Sequence, residues 1–574
     1  MSAPSLSTSF FCPLFPKTSP ISITKRPKHP QISRPISCKT TKNEDHDHNN
    51  PTARRDVLLG LGGFYGATTL GLGHDQLAMA NPILPPDLTQ CGKANLPPDA
   101  VFQKCCPPPS TNISDFKLPS SYSPLRIRPA AHLVDEAYLA KYTKAYELMK
   151  ALPDNDPRSF YHQYRVHCAY CDGAHKQVGF PDLDLQVHNS WLFFPFHRLY
   201  LYFHEKILGK LIDDPTFALP FWNWDSPDGM FLPTIYANPK SPLYDELRNK
   251  DHQPPKIIDL NFNQTDFDDP DQISTNLTTM YRQMISNGKT RRLFLGEPYR
   301  QGDEPDPGAG SIENIPHGTL HIWTGDNTQP NNEDMGNFYS AGRDPIFFSH
   351  HSNVDRLWTI WKTLGRRQTD FTDRDWLNSG FIFYDENAKP VRVKVRDCLD
   401  TKKLRYVYQE VPIPWLPCRP KPRKLVKKTP LAADKKNLTP ITSFPLVLNT
   451  PISTMVRRQK KSRSKKEKEE EEEVLVIKGI EFEKDAAVKF DVYVNENDDL
   501  QTGPNSSEFA GSFVNVPHLH KHGKKTKTVL RLGITDLLED LDAEDDDSVV
   551  ITLVPRFGKG LVNIGGITIE FVRD

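Results

Sequence analysis

Two groups of histidine constrain this 574-residue chain more than any other feature: His167, His188 and His197, then His317, His321 and His351. Three imidazoles can close around one metal ion without adding charge, so each group reads as one metal site. His317 and His321 stand four apart in Ile315-Pro-His-Gly-Thr-Leu-His-Ile-Trp323, a step that puts both rings on one face of a helix. Both groups are embedded in aromatic, apolar sequence, Trp191-Leu-Phe-Phe-Pro-Phe-His197 and Asp344-Pro-Ile-Phe-Phe-Ser-His-His-Ser-Asn-Val-Asp-Arg-Leu-Trp358. That is the dry shell a redox pair of metals needs.

Six neutral imidazoles with no obligatory carboxylate suit copper. A di-iron centre would show a Glu-x-x-His repeat, and four-coordinate zinc would usually draw on cysteine or carboxylate. Two cuprous ions side by side can give two electrons to dioxygen and so oxidise a phenolic substrate. Adjacent helical residues point about 100° apart, so only one of His350 and His351 faces the metal.

Apolar spacing of three and four predicts helices over Asp135 to Leu152 and His188 to Leu208, with two more carrying His317–His321 and Phe347 to Leu364. The expectation is a mainly α catalytic domain, a four-helix bundle with copper between the helices and irregular loops around it. Residues 457–473 run through lysines and arginines into five glutamates and read as exposed linker. From Val474 to Asp574 short segments alternate apolar and polar residues, which predicts an all-β C-terminal sandwich. The expected divisions are a leader at 1–80, the catalytic domain at 81–423, a charged linker at 424–473 and the β domain at 474–574. With 72 basic and 72 acidic residues the net charge is zero, which argues against a nucleic-acid partner. His162, His175 and His204 lack partners at ligand spacing and read as structural, and His518, His520 and His522 as solvated.

The leader carries its own address. Residues 1–43 hold seven Lys or Arg and no acid, in a background rich in Ser, Thr and Pro, the composition of a plastid transit peptide. Arg54-Arg55 then precede an apolar run, Val57 to Gly73, too short and glycine-rich for a stable membrane span. With Ala78-Met79-Ala80 as a cleavage site, this reads as a twin-arginine export signal. The expected partners are therefore the plastid import and thylakoid export machineries, and the expected destination of a mature chain starting near Asn81 is the thylakoid lumen.

On these residues the chain resembles the plant polyphenol oxidases, type 3 dinuclear copper proteins that include catechol oxidases and tyrosinases, from about Asn81 to Asp574. Asp375-Trp-Leu377, Tyr406-Val-Tyr408 and Lys489-Phe-Asp-Val492 extend the resemblance, the first two reading as packing at domain borders. It implies one copper on His167, His188 and His197 and a second on His317, His321 and His351, the latter histidine of its pair. It also implies disulfides Cys91–Cys106 and Cys105–Cys168, and a thioether from Cys171 to His188. Glu313 would hold a water near the coppers, Phe338 would lie over the second copper as a gate, and Gly318 and Ile322 would line the substrate entrance. Members efficient on monophenols often carry asparagine where this chain has Gly318. Asp355 and Arg356 read as an ion pair or cap around the last ligand helix. The implied activity is oxidation of o-diphenols to o-quinones with reduction of dioxygen to water, by a latent proenzyme that a protease activates. Alternative readings are a tyrosinase-type enzyme with substantial monophenol hydroxylation and a haemocyanin-like dioxygen binder.

Overall fold

The computed structural model describes residues 81–263, 267–420, 438–495, 503–517 and 525–573. The leader and the histidines at 518, 520 and 522 lie outside the described residues. Helix α1 spans Glu136–Lys150, its first turn capped by the Asp135 carboxylate accepting from the Tyr138 amide. Helix α2 spans Phe160–Cys171 and is capped in the same way by Ser159. Helix α3, Phe193–Leu211, is buried almost all round, as its run of Phe, Leu and Tyr dictates. A π-helical turn, Glu313–Gly318, leads into the short helix α4, Thr319–Thr324, and helix α5 covers Ile346–Trp361. These helices share one apolar core that includes Phe194, Phe196, Tyr200, Phe294, Phe347, Trp358 and Trp361. Among the described residues no helix is long and apolar enough to cross a membrane.

The expected bundle is present, but the helix expected from His188 begins only at Phe193. Asn189 has a left-handed backbone (φ 52°), and the Gln186 side chain accepts from the Val187 and His188 amides, which ties the chain into a loop before the helix. The helix expected around His317 is likewise interrupted: Ile315 is extended (φ −134°, ψ 127°), as suits the residue before Pro316.

The C-terminal part is a sandwich of two antiparallel sheets. One pairs β2 (Glu472–Glu483) with β5 (Lys525–Gly533) and β7 (Gly566–Val572), with the short segments Asn563–Ile564 and Leu446–Val447 at its edge. The other runs β4 (Phe509–Asn515), β3 (Val488–Val494), β6 (Ser548–Phe557) and β1 (Ile452–Arg457). Leu475, Ile477, Phe490, Val492, Phe513 and Leu553 pack between them. β5 alternates buried and exposed residues, whereas β3 and β4 are buried at every position. Their second faces lie against the catalytic domain, so alternation is lost where a strand is covered on both sides.

The charged run is largely exposed, as the sequence suggests, but it is folded into the sandwich rather than a linker. Arg457 ends β1, Lys465–Glu470 form a short helix capped by Ser464, and Glu472 opens β2. Arg458 is buried, pairing with Glu473 at 2.8 Å and donating to the carbonyls of Ala543, Glu544 and Asp546. Charges of opposite sign within the run neutralise one another and let it fold into the sandwich, which composition alone does not reveal. The segment 421–437 lies outside the described residues.

Candidate metal centre

Seven histidines converge between α2, α3, the π-helical turn and α4, α5 and the loop before α3. The possible ligand atoms of His167, His188 and His197 lie within 4.8 Å of one another, and those of His317, His321, His350 and His351 form a second such group. All are buried. Burial pushes each imidazole below its ordinary range, to about 3 for His167 and about 4 for His321, so the rings are neutral and offer lone pairs at physiological pH.

The hydrogen bonds assign the ring atoms. Nδ1 of His167, His197, His317 and His321 donates to the carbonyls of Phe338, Phe193, Glu313 and Met335 at 2.7, 2.8, 2.9 and 2.7 Å. Each Nε2 is buried with no partner. A buried nitrogen without a hydrogen bond is costly. Four aimed into one place, each fixed by a bond on the opposite nitrogen, fit metal ligation. Donors that are all neutral nitrogens fit copper.

His188 and His351 make no ring hydrogen bond, and neither does His350. His351 lies flat on His197, with ring centroids 4.0 Å apart, and so stands between the two groups. His350 lies beside His317 and His321, with ring centroids 5.3 and 5.1 Å away, and has Trp222 and Trp224 at 6.3 and 6.0 Å. Phe338 stacks on His188 at 4.1 Å, while Phe193 and Phe347 lie against His317 and His351, walling the site with aromatic carbon.

Glu313 is buried beside this wall. Its Oε1 accepts from the Asn189 amide at 2.5 Å, and its Oε2 has no hydrogen-bond partner. Burial pushes the carboxyl well above the usual carboxylate range, against the pull of the Asn189 bond. Cys171 is a buried free thiol at the end of α2. Gln186 ties it to the ligand loop: its Nε2 donates to the Cys171 carbonyl at 3.0 Å and its Oε1 accepts from the His188 amide at 3.0 Å. Cys91–Cys106 and Cys105–Cys168 are disulfides, clipping the N-terminal arm to α2 one residue past His167. His204 stacks on Phe348 and bonds Gln163 and Tyr146 outside both groups, and His162 and His175 also stand apart from them.

Asp355 and Arg356 do not pair with each other. Asp355 takes Arg198, Arg128 and the hydroxyls of Tyr406 and Tyr408, whereas Arg356 pairs with Asp225 at 2.9 Å. Because Arg198 follows His197 and Asp355 is one turn past His351, this ion pair locks α3 to α5 beside the metal ligands. Trp376 similarly donates to the Trp191 carbonyl at 2.9 Å, bracing the start of α3. The tyrosine and tryptophan motifs thus brace the ligand elements. Their long-range partners leave no mark in local sequence.

The C-terminal sandwich closes over the site. The Asn314 side chain donates to the Ser512 carbonyl and accepts from the Val514 amide, which docks β4 on the π-helical turn. Beyond β4, Val516 joins the catalytic core, and the Pro517 carbonyl accepts from the Phe338 amide at 3.5 Å.

The common central domain of tyrosinase matches residues 157–364, a polyphenol oxidase middle domain 370–421, and a chloroplastic polyphenol oxidase C-terminal domain 444–571. The chain is 62% identical to a chloroplastic polyphenol oxidase of Malus domestica, over 99% of this chain and 97% of that one. Among solved structures it resembles latent apple tyrosinase, with 67% identity, a TM-score of 0.77, and coverage of 80% of this chain and 100% of that one. A latent aurone synthase structure gives 44% identity and a TM-score of 0.81, covering 86% of this chain and 99% of that one.

Proposed function

Since the chain belongs to the chloroplastic polyphenol oxidases, we propose that His167, His188 and His197 hold one of its two copper ions and His317, His321 and His351 the other. The protein is a copper-dependent oxidoreductase that converts o-diphenols to o-quinones while dioxygen is reduced to water. The observation that carries the ligand assignment is the set of buried, unpartnered Nε2 atoms, opposed in four of the six by an Nδ1 held on a backbone carbonyl.

When bound, the copper pair supplies two-electron transfer to dioxygen. The chain's own work is positioning and exclusion. The carbonyl braces fix four imidazoles in one tautomer, and the aromatic wall of Phe193, Phe338 and Phe347 keeps water out. Glu313 Oε2 is the one carboxylate oxygen of that residue left without a partner, and it takes the role of proton holder for the phenol or for a nearby water. Gly318 offers no amide to orient such a water, which favours diphenols over monophenols. Gln186 holds the ends of α2 and the His188 loop together, which supports a thioether between Cys171 and His188.

The sandwich covers the entrance at Gly318 and Phe338, so the full chain is the latent form, and a protease acting between the domains releases it. The protein is directed to the chloroplast, and the twin-arginine signal takes it on to the thylakoid lumen. The decisive experiment is oxygen uptake with catechol and with tyrosine by copper-loaded protein. Uptake with catechol is expected to dominate at two coppers per chain. Metal analysis finding one copper, or none, in active protein overturns the ligand assignment.

A further inference from the structure

His188 is the ligand with the least support of its own. It stands in a loop, and neither ring nitrogen is hydrogen-bonded, unlike the four histidines braced by carbonyls. His351 also lacks a brace but is carried within α5. Besides Gln186, the His188 loop is held by its neighbour Asn189, which is gripped at three points. Its amide donates to Glu313 Oε1 at 2.5 Å, its carbonyl accepts from the Gly308 amide at 2.8 Å, and its side-chain Nδ2 donates to Asp306 Oδ1 at 3.2 Å. Asn189 (φ 52°) and Asp306 (φ 63°) are both left-handed, a conformation these two residue types tolerate, and the two turns face each other.

Asp306 is fully buried, and its other oxygen accepts from Lys484 Nζ at 2.7 Å. Lys484 follows β2 in the C-terminal sandwich and is itself only 7% exposed. A continuous polar chain therefore runs from Lys484 through Asp306 and Asn189 to Glu313, with His188 one residue from its midpoint.

We propose that Asp306 is a positioning residue for the oxidation. Its carboxylate orients Asn189, and through Asn189 it sets both the Glu313 carboxylate and the His188 loop, while Lys484 makes it the point where the sandwich grips that arrangement. This rests on the roles given to Glu313 and His188 above. The alternative is an ordinary interdomain ion pair whose only use is to hold Lys484. The two differ in what happens once Lys484 is gone.

The test uses full-length, copper-loaded protein with Lys484→Met as the reference, so that the interdomain ion pair is absent throughout. Asp306→Asn added to it keeps an oxygen for Asn189 Nδ2, and Asp306→Ala removes it. The expected result is that Asp306→Ala lowers kcat for catechol about tenfold, with KM within about twofold and copper still at two per chain. It also lowers the monophenol-to-diphenol rate ratio, because Glu313 serves the monophenol reaction most. Asp306→Asn should retain at least about half of the reference kcat, as one preserved hydrogen bond suffices to orient the amide. If Asp306→Ala matches the Lys484→Met reference in kcat and in the substrate ratio, Asp306 is only an ion-pair partner and the proposal falls. It falls equally if alanine and asparagine lower kcat alike, since the lost charge rather than the Asn189 contact would then be responsible. A reference protein that holds two coppers yet oxidises no catechol would instead count against the catalytic reading itself.

Discussion

Val514 of the C-terminal sandwich stands directly over Gly318, the residue after His317: a Cβ built on Gly318 would lie 2.9 Å from Val514 Cγ1 and 3.4 Å from Val516 Cγ2. The position expected to tune substrate choice is thus also the floor on which the covering strand rests. Valine is stiff at χ1, so the strand cannot yield cheaply. Gly318→Asn should weaken docking of the sandwich by about 1–3 kcal/mol, the usual cost of overpacking. Basal catechol oxidation by the full-length chain should rise several-fold, and the tyrosine-to-catechol rate ratio should rise as well. A rise in the ratio at constant basal activity would mean that β4 tolerates the side chain.

The histidine pair gives a sharper test of the ligand set. His351 lies between the two groups, and His350 beside His317 and His321 and near Trp222 and Trp224. His351→Ala should lose one copper per chain and more than about 100-fold in activity, since even residues that only support a ligand cost 10- to 100-fold. His350→Ala should keep two coppers. The reverse pattern, read by metal analysis, would exchange their roles.

Peptide mapping of reduced, alkylated protein checks the Cys171–His188 bond. The two tryptic fragments should travel together, two hydrogens lighter than their sum, with Cys171 unavailable to alkylation. Separate fragments with an alkylated Cys171 would leave Gln186 as the only tie between them.

Removing the sandwich should expose the site. Proteolysis within 421–437, followed by loss of residues 438–574, is expected to raise diphenol turnover several-fold at unchanged copper content. The two ends of the charged run should resist the protease, because Arg458 and Glu473 are buried and paired within the sandwich. First cleavage after Arg458 would contradict the packing described above.

A pair of carboxyls makes stability depend on pH. Asp245 and Asp334 hydrogen-bond each other, and burial, with repulsion from Asp344 on both and from Asp245 on Asp334, pushes them up to about 6 and about 8, against the pull of Arg248 and Arg343. The folded state therefore holds protons more tightly than the unfolded chain. This contribution is complete below the ordinary carboxylate value of 3.8 and is lost as pH rises through about 6 to 8. Tm should fall by a few degrees as pH rises from about 4 to about 8 and level off above that. Asp334→Asn should flatten that fall, and an unchanged slope in the variant would show that other groups cause it.

The sequence by itself determined the two histidine groups, their aromatic surroundings and the division into a helical and a β-rich part, because ligand spacing and hydrophobic periodicity are local properties. The resemblance supplied the cysteine pairs, and the structure joins Cys91 to Cys106 and Cys105 to Cys168. Tertiary structure alone decided that His188 comes from a loop, since a left-handed Asn189 held by Glu313 and Asp306 breaks a helical pattern that runs through it. It also decided that Asp355 takes Arg198 rather than its neighbour Arg356, and that Arg458 and Glu473 of the charged run pair inward. Each of these depends on partners dozens to hundreds of residues away or on which charges meet in space. A pattern read along the chain records which groups need a partner, and only the folded chain chooses it.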